Sequence, residues 1–301
     1  MKNKPKAYES IYTPFESIVL FGTIIVFMLL VLIPFVTLIS GSLSNSDAIT
    51  DYGVRLWPRK FTMDAYRVVF MYPEEMLISY GVSILVTVVG TIINVLLCSM
   101  VAFALSRSYF RYRKAITVYL MFTVMFNAGF IPQYILYRNY LMLYDTYWVL
   151  ILSPAVMVGH IIMLRAFYSA LPEELYESVR LEGANQFVVF SKIATPLILP
   201  GIATITFYSV LTYWNDPSTA MLYTEDIVPV ALYLTRITNY IEFLKYAQEN
   251  GFAGLDMSDY KIPEATVVYA IALATTAPML CLFAAFQRYF VRGLTSGSVK
   301  G

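Results

Sequence analysis

Apolar residues run along this 301-residue chain in six long segments, which polar stretches separate. An α-helix needs about 20 mostly apolar residues to cross a bilayer, and each segment has roughly that length. The pattern therefore predicts an all-α membrane protein with six transmembrane helices. These predicted spans, TM1 to TM6, are Ser17–Ile39, Ser79–Leu105, Ala115–Tyr137, Tyr147–Phe167, Leu197–Trp214 and Ala265–Phe286.

The polar stretches predict how the chain is placed across the membrane. Lys and Arg concentrate in alternate loops, and positively charged loops stay in the cytoplasm. The charge pattern, above all the stretch RSYFRYRK after TM2, places both termini in the cytoplasm. The predicted parts are a cytoplasmic N-terminus (1–16), TM1 (17–40), an extracytoplasmic loop (41–78), a core with TM2 to TM6 (79–290) and a cytoplasmic tail (291–301). Inside the core lie a cytoplasmic loop (171–196) and an extracytoplasmic segment (215–264).

The composition agrees with a membrane location. Hydrophobic residues make up 58% of the chain and charged residues 14%, against roughly 25% charged residues in an average soluble domain. The 21 basic and 20 acidic residues nearly cancel, so bulk charge indicates no nucleic-acid partner. We expect membrane lipid around the spans.

The chain carries no motif for catalysis, metal binding or ATP binding. One His and two Cys without ligand spacing disfavour a metal site, and Cys98 and Cys281 are interpreted as packing residues within apolar runs. There is no Gly-rich phosphate loop and no motif of an intramembrane hydrolase. We therefore expect a protein that is not an enzyme and that holds no cofactor of its own.

The spans also lack Asp, Glu, Lys and Arg near their centres, where an ion-driven carrier usually keeps a charged group. His160 in TM4 is the exception, and it is interpreted as a neutral hydrogen-bond donor between helices rather than a proton relay. An energy source outside this chain is favoured. A secondary carrier or channel for a small polar solute and a non-transporting membrane scaffold remain as alternatives.

Small and polar residues form a stripe along one face of TM2 and another along TM5. Such a stripe either lines a polar path or lets helices approach closely, and both interpretations stay open. Prolines in or beside the spans predict kinks, at Pro34, Pro132, Pro154 and Pro278. The stripe residues are Ser83, Thr87, Gly90 and Asn94 in TM2, and Thr204, Tyr208, Thr212 and Asn215 in TM5.

The 171–196 loop is an acidic patch between two apolar runs. Pro172 can begin a short helix, and Gly183 is placed to end it with a positive φ. Asn185 can cap a second helix, which should stop before Pro196. Anionic lipid headgroups would repel the acids of the first helix and turn, so the patch favours a protein partner. These acids are Glu173, Glu174, Glu177 and Glu182.

The same loop resembles the EAA loop of permease subunits from binding-protein-dependent ABC importers. That loop has the pattern Glu-Ala-Ala, three residues, Gly, nine residues, Ile, one residue, Leu-Pro. Ser and Val stand here in place of the two alanines, and Thr in place of the leucine. The positions that carry the resemblance are Glu177, Ser178, Val179, Gly183, Ile193, Thr195 and Pro196.

Other stretches are similar to the carbohydrate-uptake (MalG-like) branch of these permeases, of the LplC/YtcP oligosaccharide type. They are TYWVLIL, IIMLRAFYSALPEELYESVRLEGA, TPLILPGIATI and YWND. The resemblance implies the six-helix type I ABC importer permease fold (MetI-like) in a bacterial plasma membrane, with the EAA loop as a coupling loop. Implied partners are a second homologous permease subunit, two cytoplasmic ATPase subunits that bind ATP and Mg²⁺, an extracytoplasmic sugar-binding protein or lipoprotein, and the oligosaccharide.

The resemblance also assigns candidate residues for ATPase coupling. They are Leu175, Glu177, Val179, Leu181, Gly183 and Ala184. For the substrate path, aromatic faces suit sugar C–H surfaces, while amides and hydroxyls suit sugar hydroxyls. The candidates there are Asn127, Gln133, Tyr208, Thr212 and Asn215, each of which is also compatible with a structural role.

Overall fold

The computed structural model describes residues 13–126, 128–181, 183–249 and 264–297. These residues form α-helices and short π-helical turns joined by loops, which confirms the predicted all-α class. The chain divides into two compact units. Unit 1 comprises Met1–Val69 and Lys245–Leu273, and unit 2 comprises Phe70–Leu244 and Ala274–Gly301.

Unit 1 contains the first apolar helix and the polar segment after it. α1 (Pro14–Ser42) begins at a capping box, in which Thr13 and Glu16 each accept a hydrogen bond from the other's backbone N–H. α2 (Ser46–Tyr52) and α3 (Asp64–Val69) follow. None of the most apolar stretch of α1 is buried, which fits a helix that lipid surrounds.

Unit 2 contains most of the helices. In chain order they are α4 (Pro73–Ser106), α5 (Arg113–Met125), α6 (Phe130–Ile135), α7 (Tyr147–Leu152), α8 (Val158–Ser169), α9 (Glu174–Leu181), α10 (Gln186–Val188), α11 (Thr195–Leu197), α12 (Leu199–Trp214), α13 (Pro217–Tyr223), α14 (Val230–Glu249) and α15 (Glu264–Gly297). The last residues of α14 and the first of α15 belong to unit 1. Two π-helical turns, Leu136–Tyr140 and Val189–Ala194, follow α6 and α10.

The core of unit 2 lies along α4, which packs mainly against α8 and α12. Small residues on α4, such as Ala102, let the neighbouring helices come close, and large side chains from those helices fill the space. The fully buried members include Cys98, Leu164, Tyr168 and Ile205. This packing brings the ends of the helices together and so fixes the loops that carry the candidate residues.

Within the described residues, three helices are long and apolar enough to cross a membrane. They are Phe15–Ser42, Pro73–Ser106 and Ala265–Gln287, which correspond to TM1, TM2 and TM6. Two further pairs of consecutive helices are each bent at a short break, and the number of spans rises to five if each pair counts as one span. Arg113–Met125 and Phe130–Tyr140 meet at 109° near TM3, and Gln186–Leu197 and Leu199–Trp214 meet at 86° before TM5.

TM4 is not the single helix that the sequence pattern predicts. α7 ends at Leu152 and α8 begins at Val158, so the chain is non-helical around Pro154. Pro154 cannot donate a backbone hydrogen bond, and its ring clashes with the preceding turn of a helix. Pro34 and Pro278, by contrast, lie within the continuous helices α1 and α15.

Candidate functional site

The 171–196 loop contains the predicted first helix and turn, but α9 begins at Glu174, two residues after Pro172. α9 ends before Gly183, whose φ of +79° is the left-handed conformation that glycine adopts without strain. The Ala184 N–H donates to the Val179 carbonyl at 3.2 Å and so closes the turn. The Asn185 side chain then accepts from the N–H groups of Phe187 and Val188, at 2.6 and 3.3 Å. The glycine turn and the asparagine cap are therefore confirmed.

The second helix of the loop does not stop before Pro196, so that prediction is wrong. α10 continues through the π-helical turn Val189–Ala194 into α11, which contains Pro196. Pro196 has no N–H to donate, so one hydrogen bond is missing where the π-helical turn continues into α11. The chain bends only after this point, at Ile198, where α12 begins.

The candidate coupling residues divide between an outer and an inner face of the loop. Leu175 is 39% exposed, and Glu177 and Gly183 are exposed as well. Val179 and Ala184 are half-buried and pack against the core. The side chain of Leu181 and the whole of Glu182 lie outside what the structure describes. Among the candidate coupling residues whose side chains the structure describes, Leu175 and Glu177 are exposed to a partner.

A buried arginine, which sequence reasoning counted only as a cytoplasmic charge, holds the inner face of the loop. Arg107 follows α4 directly, is 4% exposed, and its guanidinium lies 3.6 Å from the ring centre of Tyr176 on α9. The same guanidinium donates to the Tyr168 carbonyl at 2.8 Å. Burial raises the pKa of the Tyr176 hydroxyl. The i, i+3 spacing of Tyr176 and Val179 marks the inner face of α9, a signal that could have identified this tyrosine.

Two further contacts join the loop to the segment after α4. Ser108 donates to the carboxylate of Glu173, and Tyr109 donates to the side-chain carbonyl of Gln186 at 2.6 Å. These contacts join the loop to the segment that follows α4.

Tyr168, at the end of α8, adds a third connection. Its hydroxyl lies 2.7 Å from the Ser99 hydroxyl on α4 and 2.9 Å from the Thr195 hydroxyl on α11. Beside this network, an apolar cavity of about 310 Å³ opens between α4, the segment after it and α10. Phe103, Phe110 and Phe187 are among its lining residues, and Phe187 is 62% exposed.

The break in TM4 is stabilised by side chains from neighbouring helices. The amide of Asn94 on α4 is fully buried and donates to the carbonyls of Pro154 and Ala155, both at 3.1 Å. The Asn94 oxygen accepts from the Ser209 hydroxyl at 2.6 Å and lies 2.9 Å from Nδ1 of His160. Because that oxygen can only accept, Nδ1 of His160 is the donor, as the helix-to-helix interpretation requires.

Three of the four residues of the TM2 stripe make close contacts or hydrogen bonds with other elements. A Cβ added to Gly90 would lie 2.4 Å from the ring of Tyr213 on α12. The Tyr213 hydroxyl donates to the Ile151 carbonyl at 2.8 Å, and the Ser83 hydroxyl accepts from the Val230 N–H at 2.7 Å. These contacts favour the packing interpretation for Ser83, Gly90 and Asn94.

The candidate path residues lie on two separate elements. Tyr208 is 48% exposed on α12; the Thr212 hydroxyl donates to its carbonyl at 3.0 Å. The Asn215 amide, at the end of α12, donates to the Leu211 carbonyl. Gln133 is half-buried on α6, and Asn127 lies outside the described residues. Tyr208 and Thr212 thus lie on α12, Asn215 directly follows it, and Tyr208 presents an accessible ring.

At the opposite end of unit 2 from the 171–196 loop, the loop before α7 meets the segment after α13. The Asp145 carboxylate accepts from the N–H groups of Glu225 and Asp226, at 2.9 and 3.2 Å. The Tyr144 hydroxyl donates to Glu225 at 2.6 Å, and this bond raises the pKa of Tyr144. Loops that the charge pattern assigns to the same side therefore lie together.

A cation and several tyrosines gather at this end. The Arg138 guanidinium carbon lies 4.2 Å from the ring centre of Tyr144 and 5.6 Å from that of Tyr134, and Arg138 also donates to the Tyr134 hydroxyl. Tyr134 stacks on Tyr223, with ring centres 5.9 Å apart. This group, Arg138 with Tyr134, Tyr144 and Tyr223, is called the arginine–tyrosine cluster below.

No family model matches the chain. The chain is 34% identical over 288 residues to the polygalacturonan/rhamnogalacturonan transport system permease protein YtcP of Bacillus subtilis, across 94% of this chain and 97% of that protein. It is 33% identical over 272 residues to protein LplC of Bacillus subtilis, across 90% of each. Among solved structures, it is similar to a chain of a bacterial ABC transporter that imports the acidic polysaccharide alginate. The TM-score is 0.74 at 29% identity, over 93% of this chain and 99% of that chain.

Proposed function

Because the chain belongs to the permease subunits of sugar ABC import systems, we propose that it forms half of the membrane pore of an ATP-driven oligosaccharide importer. A polymeric sugar is supported as the source of the substrate by two similar proteins. One is the polygalacturonan/rhamnogalacturonan permease, and the other is the transporter involved in alginate import. The chain itself is a transport component and an integral membrane protein.

The proposed pore subunit has six membrane segments with both termini in the cytoplasm. TM4 is the segment formed by α7 and α8, and its break is tolerated because its free carbonyls are hydrogen-bonded inside the protein. The meeting of alternate loops at opposite ends of unit 2 supports this topology. The 171–196 loop is then cytoplasmic, and the arginine–tyrosine cluster is extracytoplasmic.

The 171–196 loop is the proposed docking element for a cytoplasmic ATPase. Glu177 and Leu175 supply an exposed carboxylate and an exposed apolar side chain on one short helix. Glu177 would pair with a cationic group of the ATPase, and the exposed Phe187 beside the apolar cavity offers a second contact. Gly183 provides the turn, while Val179 and Ala184 hold the helix against the core.

Movement of this loop would reach the pore through the buried arginine and tyrosine contacts. Arg107 joins α9 to the ends of α4 and α8, and Tyr168 joins α8 to α4 and α11. ATP-driven closure of the paired ATPases would draw the two docked loops together and tilt these helices between inward-open and outward-open arrangements. The observation that carries the proposal is that buried contacts join the 171–196 loop to the ends of α4 and α8.

The other components follow from this role. A second homologous permease subunit would complete the pore, and two ATPase subunits would bind ATP and Mg²⁺. An extracytoplasmic sugar-binding protein or lipoprotein would deliver the oligosaccharide. In this chain the accessible ring of Tyr208, with Thr212 and Asn215, would form a wall of the path, together with Gln133 and Asn127.

The coupling role predicts the effect of two substitutions in the complete import system. Glu177→Lys reverses the exposed charge, and Gly183→Pro forces φ to about −65° where the turn needs a positive value. Each should lower ATP-dependent oligosaccharide uptake at least tenfold while the amount of chain in the membrane stays unchanged. Uptake of labelled oligosaccharide and quantitative blotting of membranes measure the two quantities.

Glu242→Lys is the matched control, because it reverses another exposed charge, on α14 and outside the 171–196 loop. It should leave uptake unchanged. Normal uptake by Glu177→Lys or Gly183→Pro would contradict the docking role. Uptake by the purified chain alone in liposomes, without ATP, would instead support a secondary carrier or channel, and sugar-independent ATPase activity in the assembled complex would support a scaffold.

A further inference from the structure

We infer that the arginine–tyrosine cluster is a subsite for the carboxylate of a uronic-acid oligosaccharide at the extracytoplasmic entrance of the pore. This inference rests on the proposed function and names the chemical class of its substrate.

The first support is the state of the Arg138 side chain. It is exposed, yet it is held in place by the rings of Tyr134 and Tyr144 and by its hydrogen bond to the Tyr134 hydroxyl. Among the described residues the ion pair is Arg67 with Asp64, and Arg138 forms none. Glu225, which lies beside the cluster, accepts from Tyr144, and its charge acts on Arg138 without forming an ion pair. A guanidinium has five N–H donors, so Arg138 keeps a fork that can bind a carboxylate in bidentate fashion.

The second support is the aromatic surface beside the guanidinium. The ring centre of Tyr144, a half-buried residue, lies 4.2 Å from the guanidinium carbon of Arg138. A flat phenol ring can pack against the C–H face of a sugar while the neighbouring arginine takes the carboxylate. A hexuronate offers both features in one ring, whereas a neutral hexose offers only the first.

The third support is the position of the cluster relative to the proposed path. Asn215, at the end of the α12 path residues, leads directly into α13, and α13 ends at Tyr223, which stacks on Tyr134. α13 has seven residues and so is about 10 Å long. One short helix therefore joins the α12 path residues to the cluster.

The rival explanation is that the cluster anchors the chain at the membrane surface. Tyrosines are enriched at that level of membrane proteins, and arginines there reach towards lipid phosphates. We favour the sugar because the ring of Tyr134 is turned to Tyr223 and Tyr144 within the protein. An anchoring role would affect all substrates equally, which makes the two explanations separable.

The test compares trigalacturonate with its fully methyl-esterified form, which has the same sugar rings but no charged carboxylates. ATP-dependent uptake of each is measured in cells that contain the complete import system. Arg138→Gln should raise the KM for trigalacturonate about tenfold, the usual effect of losing a charge-assisted hydrogen bond, and change uptake of the ester less than twofold. The KM of Arg138→Lys for trigalacturonate should lie between those of the wild type and Arg138→Gln, because lysine keeps the charge and loses the planar fork.

Arg236→Gln, which removes another exposed charge on α14, is the control and should change neither KM. Equal effects of Arg138→Gln on both probes would overturn the subsite in favour of membrane anchoring. An unchanged KM for trigalacturonate would overturn it as well. Uptake of the ester but not of trigalacturonate by the wild type would overturn the subsite and leave the permease function standing, since that function is tested separately by Glu177→Lys.

Discussion

Gly90 shows how one hydrogen atom in place of a methyl group decides the distance between two helices. The ring of Tyr213 lies where a Cβ at position 90 would be, with three ring atoms within 2.9 Å. The ring cannot easily move aside, because its hydroxyl is bonded to the Ile151 carbonyl and the side chain is 6% exposed. Close packing of α4 and α12 therefore depends on this glycine.

Gly90→Ala should lower the free energy of unfolding by about 1–3 kcal/mol, the usual cost of adding a group to a well-packed interior. Thermal unfolding of the detergent-solubilised chain measures the loss. Gly81→Ala on the same helix is the control, because nothing lies within 4 Å of its added Cβ. Equal midpoints for the two variants would show that α4 and α12 do not pack as described.

Single residues were predictable where the reason for them is local. Gly183 and Asn185 follow from the chemistry of a turn and of a helix cap, which involve only a few neighbouring residues. Arg107 was assigned only to membrane topology, because its partners Tyr168 and Tyr176 are distant in sequence. No spacing rule links an arginine after one helix to a ring on another.

At the scale of the helices, the hydrogen bonds around the TM4 break join α4, α8 and α12. Asn94 takes part in four of them, two as donor and two as acceptor. Interhelical hydrogen bonds in membrane proteins contribute about 0.6 kcal/mol each on average. The group is therefore a substantial part of what holds these three helices together.

Asn94→Leu should lower the free energy of unfolding by about 2 kcal/mol, because four polar groups lose their shared partner. Chemical unfolding of the chain in mixed micelles measures this change. Asn215→Leu is the control for stability, since that side-chain amide bonds only to its own helix. A smaller loss of unfolding free energy for Asn94→Leu than for Asn215→Leu would show that the Asn94 hydrogen bonds do not hold α4, α8 and α12 together.

The positions of the helices were predictable from the length of the apolar segments. The breaks within them were harder to predict. TM1, TM2 and TM6 match continuous helices to within several residues. In TM4, Pro154 gave a signal for a kink, but not for the loss of helix between Leu152 and Val158. Continuation through Pro196 depends on the π-helical turn before it, which has no simple sequence pattern.

At the scale of the whole chain, the contacts of unit 2 place two groups of loops at opposite ends of α4, α8 and α12. Charge counting had already paired these loops, because alternate loops of a multispan protein share a side. Sequence could not predict which side chains would meet there. The contact of Tyr144 with Glu225, like that of Tyr109 with Gln186, depends on how the helices pack.

Cysteine labelling tests the proposed orientation. Tyr140→Cys should react with a membrane-impermeant maleimide in intact cells, and Gln186→Cys should react only after the cells are permeabilised. Each variant serves as the control for the other, in a Cys281→Ser background, because Cys281 is exposed while Cys98 is buried. The reverse pattern of labelling would place the 171–196 loop outside the cell and exclude its contact with an ATPase.

The break in TM4 also has a consequence for biosynthesis. α7 and α8 have six and twelve residues, and neither can cross the hydrocarbon layer alone. When this segment leaves the ribosome, α4 has already been made and α12 has not. Asn94 is thus the first partner that the open carbonyls of Pro154 and Ala155 can meet, and Ser209 joins later. Because α4 is made first, we expect TM4 to pack against α4 before α12 is available.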